Sequence, residues 1–198
     1  MVDDFYGNLH NRQVRVFCLS TGRCGSTTFT ESFRHAVNYS SAHESRARVL
    51  GAKRLEYPDW HVESDNRLAW FLGELDERYG DEPVYVHLVR EPSEVVRSFE
   101  YRHHSPGTIM RGFGNGILMT GRDRKPDEWR PIAEMYVQTV NANIRLFLRD
   151  KSKVVLMRLD DPEPAVRTIW EMAEMQGDLE AAINIWGMHF NSDPRSRS

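Results

Sequence analysis

Cysteine is scarce in this chain of 198 residues, which holds two, Cys18 and Cys24. Two thiols in one short stretch build no disulfide framework, and they suit a reducing compartment. Charge of either sign is not in excess: 26 Lys and Arg stand against 29 Asp and Glu, a formal net charge of −3. That balance leaves no global basic field for nucleic acid. No stretch approaches the roughly 20 apolar residues of a membrane span. The segment Met1 to Arg12 is polar and acidic, without the apolar core of a signal peptide. The expectation is a cytoplasmic protein with neither a nucleic-acid nor a membrane partner. Basic residues gather only locally, at Arg46/Arg48, Arg97/Arg102/His103/His104 and Arg122/Arg124/Lys125. Such runs are solvated faces or places to hold an anionic acceptor.

What the chain does have is an apolar run, Val14 to Leu19, emptying into Ser20-Thr21-Gly22-Arg23-Cys24-Gly25-Ser26-Thr27-Thr28, after which a helical pattern starts. Strand, glycine turn and helix start together make an anion site, because the first helical turn leaves N–H groups unpaired and carries partial positive charge. Gly22 and Gly25 let the backbone curl. Ser20, Thr21, Ser26, Thr27 and Thr28 add hydroxyls, and Arg23 adds a planar, permanently charged fork. The lysine of the nucleoside-triphosphate loop G-x-x-x-x-G-K-[ST] is missing, which counts against an ordinary P-loop kinase. A cysteine phosphatase needs Cys, five residues, then Arg; Cys18 misses that spacing by one, although Asp161-Pro162 imitates an acid loop.

The second informative stretch is Val84 to Phe99. It reads as a strand, a turn with Pro92 at a helix start, and a helix, with Arg90 at the strand end and Ser98 eight residues on. An arginine there and a serine two turns into the next helix can converge on one phosphate, at the strand ends where open α/β sheets bind ligands. Two anion sites on one sheet match a nucleotide with phosphates at both ends.

Taken together, Ser20 to Thr27 resembles the 5′-phosphosulfate loop of sulfotransferases that use 3′-phosphoadenosine-5′-phosphosulfate (PAPS), in the G-R-x-G-S-[ST] form of carbohydrate-type and bacterial members. Arg90 with Ser98 resembles the 3′-phosphate element of the same family. The resemblance spans about residues 14–100. It implies PAPS as donor and adenosine 3′,5′-bisphosphate as product, no obligatory metal, and transfer to a hydroxyl of a carbohydrate or small metabolite. It makes Thr21, Gly22, Arg23, Cys24, Gly25, Ser26, Thr27, Thr28, Arg90 and Ser98 the cofactor-binding set, with Arg23 also meeting charge on the leaving phosphate. The family's base follows the first helix as Glu or His, which places it at Glu44 or at His43, whose imidazole titrates near neutrality. The Lys-Gly-rich closing loop of cytosolic members has no counterpart: either the Gly/Arg-rich stretch 105–125 closes the nucleotide instead, or that contact is absent. Trp60, Trp129 and Trp186 are candidates for adenine stacking. Three other readings stay open: a P-loop nucleotide kinase with Asp65 or Glu44 on its magnesium, a non-catalytic nucleotide-binding module, and a metal site from His61, Glu63 and Asp65. The sequence leaves the acceptor and the oligomeric state open.

Strands alternating with helices predict an α/β fold, a single three-layer domain over 1–198 with a central parallel sheet and frayed ends at 1–12 and 191–198. Strands are expected at 14–19, 84–89 and 154–159, with a short one near 48–53. Residues 40–46 read as a polar connector, and 56–64 as a loop with an extended piece at Trp60–Val62. Helices are expected at 26–38, 65–79 behind an Asp65 cap, 93–103, 127–149, 162–176 and 179–186. His87, inside an apolar strand, reads as a hydrogen-bonded core residue.

Overall fold

In a computed structural model, residues 14–101, 108–120 and 128–187 are described. Strands β1 (Arg15–Leu19), β2 (Ser40–His43), β3 (His61–Ser64), β4 (Val84–Val89) and β5 (Val154–Arg158) form one sheet in the order β2-β3-β1-β4-β5. Every pairing is parallel, with Val16 beside Val62 and Val84. Apart from Arg15 and His87, β1 and β4 read as apolar runs because central parallel strands are covered on both faces. The helices are α1 (Ser26–Phe33), α2 (Leu72–Tyr79), α3 (Pro92–Tyr101), α4 (Ile109–Gly112), α5 (Trp129–Leu148), α6 (Glu163–Met172) and α7 (Leu179–Asn184). α1, α6 and α7 pack together on one side of the sheet. On the other, α5 lies with α3 over β4, where Phe147 meets Tyr85 at 5.1 Å and Asn141 hydrogen-bonds His87 at 3.1 Å. Burial holds the His87 imidazole below its ordinary pKa, so it sits there as a neutral core residue.

Strand order fixes where a ligand can bind. The connection from β1 leads toward β2 on one side, and that from β4 leads toward β5 on the other. The chain therefore opens a crevice between the carboxyl ends of β1 and β4, the topological switch point.

Several local expectations are corrected. Residues 40–43 are an edge strand rather than a connector, and 61–64 are a strand buried at all four positions. Their polarity hid them: His61, Glu63 and Ser64 are all buried, so hydrophobic alternation carries no signal. Residues 48–53 form no strand, and Gly51–Leu55 is a 3₁₀ turn instead. Asp65 does cap, accepting from the Arg67 N–H at 2.8 Å, but a 3₁₀ turn (Asn66–Trp70) comes before α2. The described part of the glycine-rich stretch is not an open loop. It coils into α4 and a five-residue π-helical turn, Phe113–Ile117, with Met110 and Phe113 in the core. Residues 102–107 and 121–127, with His103, His104, Arg122, Arg124 and Lys125, lie outside the described residues. So do both chain ends, His189 among them.

Helix α1 stops at Phe33, five residues before its expected end, because the chain peels away to pair elsewhere. Val37 N–H donates to Gln176 O at 2.7 Å, Tyr39 Oη donates to Ala173 O at 2.8 Å, and Ala36 bridges Gly177. Gly177 has φ +132°, and a Cβ there would lie 2.2 Å from His35 O. Backbone on both sides leaves nothing flexible to move. Gly177→Ala is therefore expected to cost about 3 kcal/mol of stability. A chemical denaturation midpoint equal to wild type would contradict this packing.

Candidate active site

The loop after β1 is built as a cradle. Gly22 (φ +77°), Arg23 (φ +61°) and Gly25 (φ +94°) all take left-handed backbone, so the chain curls on itself before α1. Side chains press against both glycines: a Cβ on Gly22 would meet Asn66 Nδ2 at 2.8 Å, and one on Gly25 would meet Leu159 Cδ1 at 2.7 Å. Ser20 Oγ accepts from the Gly22 N–H at 3.1 Å, and Tyr136 Oη donates to Thr21 O at 2.9 Å, which ties the loop to α5. The first backbone bond of α1 runs from Phe29 N–H to Gly25 O at 2.9 Å. The Ser26, Thr27 and Thr28 N–H groups at the helix start are thus free of the helical ladder.

Three predicted side chains meet in the β1–β4 crevice. Arg23 Nε donates to Ser98 Oγ at 2.9 Å. Arg90 Nε donates to Glu94 at 2.9 Å, and its Nη1 donates to Arg23 O at 3.4 Å. Ser98, expected opposite Arg90, thus bonds Arg23, with Arg90 alongside. The crevice gathers two guanidinium groups at the start of one helix and beside the next.

The two candidate bases stand at the other side of α1. His43 Nε2 is 2.9 Å from Ser26 Oγ, linking the end of β2 to the helix start. Glu44 follows in left-handed backbone (φ +52°), its N–H donating to Ser64 O at 2.9 Å and its carboxylate paired with Arg67 at 2.7 Å. His43, Glu44 and Arg67, with Ser45, Arg48 and Val49, line an open cleft of about 450 Å³. Cleft and cradle are joined through the hydrogen bond between His43, which lines the cleft, and Ser26 at the start of α1.

Other candidates separate. His61 and Glu63 come together at 3.1 Å, but Asp65 turns to Arg54 at 2.5 Å, so the three do not converge on a metal. Asp65 is fully buried and its second oxygen is taken by the Arg67 N–H. Of the tryptophans, Trp129 is buried, and Trp60 precedes β3 at the opposite end of the sheet. Trp186 stands against the cradle, 3.6 Å from where a Gly25 Cβ would be, and its Nε1 has no hydrogen-bond partner among the described residues.

Neither cysteine suits a phosphatase. Cys18 is fully buried in the central strand, and burial pushes its thiol up to about 12; burial raises Cys24 as well, although its Sγ lies 3.1 Å from Thr21 Oγ1. Neither thiol is expected to react rapidly with Ellman's reagent in the native protein at neutral pH. One rapidly titrating equivalent would reopen the thiolate reading.

Arg67 and Tyr136 escaped the sequence reading. Arg67 lies two residues beyond the candidate metal ligands His61, Glu63 and Asp65, but nothing in the sequence links it to Glu44. Tyr136 sits in the apolar stripe of α5, where a tyrosine reads as core.

Neither a family profile nor a curated relative matches the chain. Two solved structures share its fold. One is a sulfotransferase domain from the curacin biosynthetic pathway, at TM-score 0.61 and 17% identity over 84% of this chain and 75% of that one. The other is a sulfotransferase domain from the Synechococcus PCC 7002 olefin synthase, at TM-score 0.62 and 16% identity over 93% of this chain and 82% of that one. The chain therefore has the α/β fold of sulfotransferase domains. Among the described residues no helix is long and apolar enough to cross a membrane.

Proposed function

We propose that this protein is a sulfotransferase that moves a sulfuryl group from PAPS to an acceptor hydroxyl, of a carbohydrate or small metabolite. The observation that carries the reading is the grouping of Arg23, Arg90 and Ser98 with the N–H groups at the start of α1, where Ser26 Oγ meets His43, the residue before Glu44. The cradle fits the donor's 5′-phosphosulfate, since Gly22 and Gly25 hold backbone where side chains could not stand. The donor supplies an activated sulfuryl group.

The remaining work falls to the chain. Glu44 takes the acceptor's proton. The acceptor oxygen forms the new bond to sulfur as the bond from sulfur to the 5′-phosphate oxygen breaks, and the electron pair stays on that phosphate of adenosine 3′,5′-bisphosphate. Arg23 and the Ser26, Thr27 and Thr28 N–H groups meet the growing charge, already aimed at it before reaction. Arg90, exchanging Glu94 for a ligand, binds the 3′-phosphate with Ser98. Arg67 holds the Glu44 carboxylate toward the cleft where the acceptor enters.

Kinase chemistry is less well served. Of the two carboxylates it would place on magnesium, Asp65 is fully buried with one oxygen on Arg54 and the other on the Arg67 N–H. Incubation with sulfur-35-labelled PAPS and a panel of sugars, phenols and hydroxy acids tests the proposal. Label transferred to a hydroxyl compound, at the same rate with chelator present, is the expected result. Phosphorylation of the panel by ATP–Mg²⁺ without sulfuryl transfer would replace it with the kinase.

A further inference from the structure

We propose that Glu63 is a positioning residue for Glu44, gripping the amino acid after the base and so fixing the turn that aims it; this rests on the base assignment just made. Strand β2 ends at His43, and the Glu44 N–H makes the last backbone bond to β3, at Ser64 O. Ser45 is then carried off by the left-handed turn at Glu44 (φ +52°), a conformation that costs a non-glycine residue on the order of 1 kcal/mol or more. Its backbone bond is replaced by a side chain. Glu63 Oε1 accepts from the Ser45 N–H at 2.9 Å, and Oε2 accepts from Ser45 Oγ at 2.5 Å.

Glu63 is fully buried, and its third partner is His61 Nε2 at 3.1 Å, whose Nδ1 lies 2.7 Å from Ser40 Oγ. A carboxylate out of water with no guanidinium or ammonium group among the described residues paired to it is expensive unless each oxygen is hydrogen-bonded. Here donors reach both oxygens, and two of the three belong to Ser45. The turn is thus held from both sides, by β3 backbone at Glu44 N–H and by a β3 side chain at Ser45. The Glu44 carboxylate itself stays free of this network and meets Arg67. Glutamine at 63 keeps the size but replaces one acceptor oxygen with a donor, so the two-pronged grip cannot be reproduced.

The test combines amide exchange with kinetics on Glu63→Gln, Glu44→Gln and the double variant. Loss of a hydrogen bond to a charged group should speed Ser45 amide exchange roughly tenfold, with β4 amides unchanged. With PAPS, Glu63→Gln should lower kcat on the order of tenfold to a hundredfold while keeping the affinity for adenosine 3′,5′-bisphosphate. In the Glu44→Gln background the same change should cost no further rate, because it acts through the missing base. Ser45→Ala, which removes one prong without touching the core, should move exchange and kcat in the same direction by less, and stands in should Glu63→Gln not fold. Wild-type Ser45 exchange, wild-type kcat, or losses that multiply in the double variant would each overturn the proposal. Full turnover in Glu44→Gln alongside faster Ser45 exchange in Glu63→Gln would instead remove the base assignment and leave the grip as structural.

Discussion

Glu44→Gln is expected to lower turnover with PAPS by about 10² to 10⁴-fold, the range over which a positioned general base contributes, while bisphosphate affinity stays near the wild-type value. The expectation follows from position. Glu44 lies in the cleft rather than in the cradle, so removing its charge leaves the cofactor groups in place. Glutamine keeps the shape and a hydrogen bond to Arg67 but cannot take a proton at neutral pH. Single-turnover kinetics with saturating PAPS separates the two effects. An unchanged rate would shift the base to His43, 2.9 Å from Ser26 Oγ, and His43→Gln would then carry the loss.

Arg23→Ala is expected to lower turnover by about 10² to 10³-fold, as removal of one preorganised donor to a developing anion does, and to weaken bisphosphate as well. Both effects appear because Arg23 is at once in the loop and bonded to Ser98 on α3, so it spans the two ends of the proposed nucleotide site. Arg23→Lys should recover part of the binding but little of the rate, since an ammonium lacks the planar fork that reaches two oxygens together. Equal kcat in all three proteins would take Arg23 out of the mechanism.

The predicted fold and the anion cradle share one cause. β1 and β4 are buried on both faces and read as apolar runs, and the glycines and Pro92 mark the turns that follow them. Position in the sheet, not propensity, hid β2 and left only the Trp60–Val62 piece of β3 legible. His61 and Glu63 are strand residues because Ser40 and Ser45 lie opposite to satisfy them, and such partners are found only once the strands are paired. The same holds for the site. Arg23, Arg90, Ser98, His43 and Glu44 lie within or beside recognisable turns. Arg67, Tyr136 and Asn66 reach the site across the fold, from segments whose local sequence points only to a helix or a cap. The early stop of α1 belongs to this second group, since it depends on Gly177, about 140 residues downstream of Ala36.

Calorimetric titration with adenosine 3′,5′-bisphosphate, beside ADP and ATP–Mg²⁺, on wild type and Arg90→Ala tests the central claim most directly. The account predicts tight binding of the bisphosphate alone, indifferent to Mg²⁺ and largely lost in Arg90→Ala, which removes the guanidinium that exchanges Glu94 for the phosphate. Preference for ATP–Mg²⁺, or bisphosphate binding untouched by Arg90→Ala, would contradict it.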